Sequence, residues 1–110
     1  MKTPLLSVVI PTWNRAQLVR DAICSVLAQR EGLVEAIVVD DASTDSTIEL
    51  LEREFGDRIR LLRLEHRRGP GGARNAGAHL ARGEFVGFLD SDDVWLHGKF
   101  DAELEVFARF

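Results

Sequence analysis

Four short apolar runs, separated by stretches with helical spacing, constrain this chain more than any single motif. Residues 5–10 (LLSVVI) are nearly all apolar, as suits a strand covered on both faces. Residues 35–40 (EAIVVD) form a second such run, and residues 84–89 (EFVGFL) a fourth. Residues 58–65 (RIRLLRLE) alternate only partly, so the third strand is expected toward a sheet edge with one wetter face. Asn14 has the chemistry of an N-cap for a helix over residues 15–29, in which Val19, Ile23 and Val26 share a face. Ser46 and Glu49 have capping-box spacing and start a second helix with Ile48, Leu51 and Phe55 as its inner stripe. Gly69-Pro70-Gly71-Gly72 reads as a flexible loop before a short helix over residues 73–81, whose Ala and Gly content permits close approach to a sheet. A final amphipathic segment, residues 97–110, puts Phe100, Leu104 and Phe107 on one face. The order βαβαβαβα predicts one α/β unit over residues 1–110, with a parallel sheet and right-handed crossovers.

In such a sheet ligands bind outside the carboxyl ends of the strands. Two acidic clusters fall there. Asp40-Asp41 ends the second run, and Asp90-Ser91-Asp92-Asp93 follows the fourth, so both are expected on one rim. Packed carboxylates at the exit of a buried strand need water, a basic partner or a metal. Asp90 and Asp92 are two apart, and in extended chain they face the same way with Ser91 turned aside. Oxygen ligands of this kind suit Mg²⁺ or Mn²⁺. The plain alternative is an acidic turn capping the last helix. Asp41 can accept a hydrogen bond from a nucleobase N–H, and Asp40 is the more structural member of its pair. Arg74 and Asn75 begin the third helix, where backbone amides favour phosphate. The loop before them lacks a complete G-x-G-x-x-G and does not follow the first strand, which argues against a dinucleotide fold.

The formal net charge of −4 gives a general nucleic-acid-binding role no electrostatic support. Six arginines nevertheless fall between positions 58 and 74, which suits a phosphate ligand beside an acidic metal site, although most are expected on a solvated edge. The one cysteine, Cys24, allows no disulfide within the chain and is expected to pack in the first helix. That usage suits a reducing compartment, and the short N-terminal apolar run is neither a membrane span nor a signal segment.

Taken in order, several segments resemble the family 2 glycosyltransferases of the GT-A fold. They are residues 7–15 (SVVIPTWNR), 25–29 (SVLAQ), 37–45 (IVVDDASTD), 73–77 (ARNAG) and 83–93 (GEFVGFLDSDD). The resemblance implies a Rossmann-like nucleotide-binding half of a GT-A domain and a nucleotide-sugar donor, a UDP-sugar above all. It implies that Asp41 binds the base and that Pro11, Thr12 and Trp13 lie against the nucleoside. Asp90 and Asp92 match the D-x-D motif that holds the ribose and the metal on the diphosphate, Mn²⁺ or Mg²⁺, with Asp92 the main metal ligand. Ser91, Arg74 and Asn75 complete the implied donor contacts. The implied reaction inverts the anomeric centre in one displacement, with a separate carboxylate as general base.

Three positions depart from the family pattern. Trp13 stands where Tyr is usual, Arg67 where Asn is frequent, and Ala42 where Gly is common, the last without expected consequence. The family's catalytic domain continues well past the D-x-D. The acceptor half and the general base are therefore expected beyond Phe110, and the 110-residue chain is expected to bind donor without efficient turnover. No catalytic residue is assigned within it, and its acceptor is unassigned. A cytoplasmic location is expected, with a membrane-associated parent left open. Self-association through an exposed sheet edge and the terminal apolar face is a further expectation. The alternatives are a receiver-like phosphoacceptor module, whose acidic pair would follow the first strand, and a non-catalytic nucleotide-binding module.

Overall fold

The computed structural model describes residues 4–29 and 32–95. The elements are β1 (Leu6–Thr12), α1 (Ala16–Leu27), β2 (Val34–Asp40), α2 (Thr47–Phe55), β3 (Arg60–Arg63), α3 (Gly69–Leu80) and β4 (Phe85–Phe88), with a 3₁₀ turn at Gly56–Arg58. All strand pairs are parallel, in the order β3-β2-β1-β4. This is the Rossmann-like α/β sheet that the alternation of runs predicted. The amphipathic segment expected over residues 97–110 lies outside the described residues.

The period-2 geometry of β1 sends its side chains to two cores. Val8 and Ile10 point to the α1–α2 side, where they meet Val19, Ile23, Val26, Leu51 and Phe55. Val9 points to the other side, with Ile37, Val39, Leu64 and Ala73 under α3. Both faces of the central strands are thus covered, which is why their sequences are continuous apolar runs. Gly77 shows how tightly α3 sits. A Cβ at that position would lie 2.4 Å from Val9 Cγ1 and 2.8 Å from Val39 Cγ2. β3 is an edge strand with Arg63 exposed, as its partial alternation implied.

At the far rim, Ser7 and Glu35 hold the connection that feeds β4. Gly83 N–H donates to Ser7 Oγ at 2.7 Å, and Arg82 N–H donates to Glu35 Oε2 at 2.8 Å. The start of β4 is therefore anchored beside β1, and the acidic segment leaves the sheet at a set point.

Five local expectations are corrected. β1 does not close before Pro11 but runs through it to Thr12, paired with Asp40. The α1 cap is Arg15 rather than Asn14, whose side chain is committed to the loop after β2. Ser46 makes no side-chain cap; Asp45 Oδ1 accepts from Thr47 N–H at 3.0 Å in its place. α3 begins at Gly69, so the glycine-rich stretch is its first turn and not a loop. Gly69 takes φ 77°, and Pro70 occupies the first turn, where its fixed φ is favourable. Cys24 is exposed on α1 rather than packed, one residue after buried Ile23.

Candidate functional site

Pro11 decides where the acidic segment leaves the sheet. The last bond between β1 and β4 runs from Leu89 N–H to Val9 C=O, at 3.0 Å. The next rung of a parallel ladder would use the N–H of residue 11, which proline lacks. The chain turns away there. Asp93 N–H donates to Asp90 C=O at 3.0 Å, closing a tight turn. Asp90 and Asp92 therefore sit in a turn, not in the extended segment expected, because the ladder that would keep them extended has ended. The turn still gathers carboxylates. One oxygen from each of Asp90, Asp92 and Asp93 lies within 4.8 Å of the others, and all three residues are exposed. These are hard oxygen donors gathered at one turn, a donor set whose chemistry suits a divalent cation.

Two arginines reach the same turn. Arg74 Nη2, from the second turn of α3, is 2.8 Å from Asp90 Oδ1. Arg15 Nη1, from the segment between β1 and α1, is 3.7 Å from Asp92 Oδ2.

The Asp40-Asp41 pair divides its work. Asp40 is fully buried, and its carboxylate accepts from Ser43 N–H at 3.0 Å and from the Ser43 hydroxyl. It shapes the loop after β2. Asp41 is also buried, and its carboxylate accepts from the backbone N–H groups of Arg68 and Gly69, at 2.8 and 3.0 Å. It thereby caps α3 from outside the helix sequence, which explains why no capping signal precedes Gly69. Each oxygen keeps a lone pair for a further donor. The loop after β1 is pinned to the loop after β2. Asn14, at φ 50°, accepts on Oδ1 from Thr44 and Asp45 N–H, and its own N–H donates to Ser43 Oγ at 2.9 Å. Ala42 takes φ 61°, a left-handed conformation in which its Cβ is disfavoured, so the absence of glycine there does carry a consequence.

Over these loops the Arg67 guanidinium stacks on Trp13, its central carbon 3.9 Å from the ring centroid. Arg67 Nε is also 3.7 Å from Asp41 Oδ2. Thr12 is buried, and its hydroxyl has no hydrogen-bond partner among the described residues.

Residues from each of these segments line one cleft of about 310 Å³ at the carboxyl ends of β1, β2 and β4. It lies where the strand order reverses, with β2 on one side of β1 and β4 on the other. That is the crevice in which open α/β sheets bind ligands. Of the residues singled out from sequence, Pro11, Thr12, Trp13, Asp41, Arg74, Asp90, Ser91 and Asp92 line it. Asn75 does not; it is exposed on α3. Arg15 and Arg67 were not among the expected site residues, yet both line the cleft. Arg67 belonged to a basic stretch expected to be solvated, and no spacing rule singles out Arg15. A receiver-type phosphoacceptor site would have its acidic pair at the end of β1, where this chain has Pro11 and Thr12.

The chain matches the family model described as glycosyl transferase family 2 over residues 7–109. It is 40% identical over 104 residues to the putative teichuronic acid biosynthesis glycosyltransferase TuaG of Bacillus subtilis, spanning 93% of this chain and 41% of that protein. Among solved structures it is similar to S. aureus TarS 1-349 in complex with UDP-GlcNAc, with a TM-score of 0.80 and 32% identity. That match covers 94% of this chain and 31% of the TarS chain. It is also similar to the mannosyltransferase PcManGT from Pyrobaculum calidifontis in complex with GDP-Man and Mn²⁺, with a TM-score of 0.72 and 32% identity, covering 86% of this chain and 29% of that one. The chain thus spans less than half the length of each of these relatives. With the ordered segments, the Rossmann-like sheet of GT-A structures and the family match in agreement, this chain belongs to glycosyl transferase family 2.

Proposed function

We propose that the cleft binds the nucleoside diphosphate of a sugar donor, a UDP-sugar above all, as the donor half of an inverting glycosyltransferase. The observation that carries this reading is the meeting of Thr12, Trp13, Asp41 and the Asp90–Asp92 turn in one cleft at the sheet's switch point. In this reading Trp13 lies against the base and Asp41 accepts from a base N–H. The Thr12 hydroxyl gains the partner it lacks among the described residues. Asp90 holds the ribose side and, with Asp92, the divalent cation. Bound there, Mn²⁺ or Mg²⁺ supplies Lewis-acid stabilisation of the departing diphosphate. The residues of this chain fix the donor's position and shield one face of it. Deprotonation of the acceptor hydroxyl is assigned to none of the residues that line the cleft. TarS in complex with UDP-GlcNAc supports the uridine preference, and PcManGT with Mn²⁺ supports the cation.

No helix among the described residues is long and apolar enough to cross a membrane. The lone cysteine supports a reducing compartment for the donor site. The self-association expected from exposed edges stands as part of the same proposal, since β3 and β4 are both sheet edges.

Thermal unfolding tests the donor reading. UDP with Mn²⁺ is expected to raise the melting temperature, and uridine alone less so. A melting temperature that no nucleoside diphosphate moves, at millimolar ligand and with cation present, would remove the donor reading.

A further inference from the structure

Each carboxylate of the D-x-D motif already carries a cation supplied by the chain. Arg74 meets Asp90 at 2.8 Å, and Arg15 meets Asp92 at 3.7 Å. The two arginines come from different elements and approach one turn. Both line the cleft and are partly exposed, so neither is locked in the core. A divalent cation entering this turn must take the carboxylates from the guanidinium groups and then sit beside two positive charges. Guanidinium is also the side chain best matched to phosphate, through paired N–H donors. An incoming diphosphate offers both arginines a new partner while neutralising the cation.

We propose that Arg15 and Arg74 are exchangeable counter-cations. They occupy Asp92 and Asp90 in the nucleotide-free protein, compete there with the divalent cation, and pass to the phosphate groups when cation and nucleoside diphosphate enter together. Cation and diphosphate then bind cooperatively, because each removes an obstacle to the other. The inference rests on the donor-site reading for the identity of the diphosphate, but the competition with the cation stands on the two ion pairs alone. Exposed ion pairs are weak, so the competition shifts affinity several-fold rather than by orders of magnitude.

The test is Mn²⁺ binding followed by the electron paramagnetic resonance signal of the free ion, with and without UDP. It uses the 110-residue chain and its Arg74→Ala, Arg15→Ala, Arg74→Lys and Arg82→Ala variants. Without UDP, Arg74→Ala and Arg15→Ala are expected to bind Mn²⁺ roughly three- to fivefold tighter. With Mn²⁺ present, the same variants are expected to bind UDP about fivefold or more weaker. Arg74→Lys, which keeps the charge but loses the fork, falls between. Arg82→Ala removes the same charge at the opposite rim and is expected to change neither. Opposite signs for the two ligands distinguish exchange from a structural role, which would weaken both. Mn²⁺ binding unchanged or loosened in Arg74→Ala, or matched by Arg82→Ala, overturns the proposal. A wild-type chain that binds Mn²⁺ but no nucleoside diphosphate defeats the donor-site reading instead, and the Mn²⁺ comparison still decides the competition. A wild-type chain that binds neither defeats both.

Discussion

The central carbon of the Arg67 guanidinium sits over Trp13, 3.9 Å from the ring centroid, while its Nε approaches Asp41 Oδ2 to 3.7 Å. One side chain follows β1 and the other precedes α3, and the two touch. At 3.9 Å no base fits between guanidinium and ring, so a nucleobase that uses this face of Trp13 must move Arg67 aside. Base stacking on an aromatic side chain is worth about 1–3 kcal/mol by alanine substitution. Trp13→Ala is therefore expected to weaken UDP binding by at least fivefold in a calorimetric titration. An unchanged affinity would take Trp13 out of the base contact.

Asp41 serves structure and, in the proposed donor site, binding with one carboxylate. It caps α3 through the Arg68 and Gly69 amides, and it faces the cleft. Loss of a capping side chain costs roughly 0.5–2 kcal/mol. Asp41→Ala is expected to lower stability by that amount in urea denaturation and to weaken UDP binding with or without Mn²⁺. Loss of binding with full stability retained would contradict the capping role.

At Gly77 the α3 backbone lies close against the sheet. A methyl group there meets Val9 Cγ1 at 2.4 Å and Val39 Cγ2 at 2.8 Å, and neither is the end of a flexible chain. Overpacking of this kind costs roughly 1–3 kcal/mol. Gly77→Ala is expected to lower the melting temperature by about 4 °C or more, on the usual scaling for a small domain. An unshifted transition would mean that α3 moves away at no cost.

Ala42 holds φ 61° in the loop between Asp41 and Ser43. The left-handed region costs a residue with a Cβ about 1–2 kcal/mol, and glycine returns part of that gain as unfolded-state entropy. Ala42→Gly is expected to raise stability by up to about 1 kcal/mol with UDP affinity unchanged. A destabilised variant would show that this loop does not hold the left-handed conformation in solution.

The order of elements was legible because β1 and β2 are covered on both faces, and continuous apolar runs record that directly. The rim was legible too. Two acidic clusters at strand carboxyl ends meet in any parallel sheet with this alternation. What escaped was set by contacts between distant segments. The α3 cap is Asp41, which is 28 residues before Gly69, so no local spacing reports it. Asn14 looked like a helix cap, but its side chain bonds Thr44 and Asp45 in the next loop. Arg15 and Arg67 enter the cleft because Asp92 and Trp13 are there to receive them. A charge run read along the sequence cannot separate those two from arginines that face water. The tight turn at Asp90–Asp93 depends on Pro11 ending the β1–β4 ladder, a consequence of strand register rather than of either segment alone.

The central claim is that this cleft holds a nucleoside diphosphate through Asp41 and, with a divalent cation, through Asp92. Calorimetric titration of UDP with and without Mn²⁺, on the wild-type chain and on Asp92→Ala and Asp41→Ala, tests it most directly. The account predicts UDP binding that Mn²⁺ strengthens in the wild type. Asp92→Ala should lose the Mn²⁺ dependence, and Asp41→Ala should bind more weakly under both conditions. Mn²⁺ dependence that survives in Asp92→Ala and vanishes in Asp41→Ala, or a wild-type chain that gives no heat with UDP, GDP or dTDP, would contradict it.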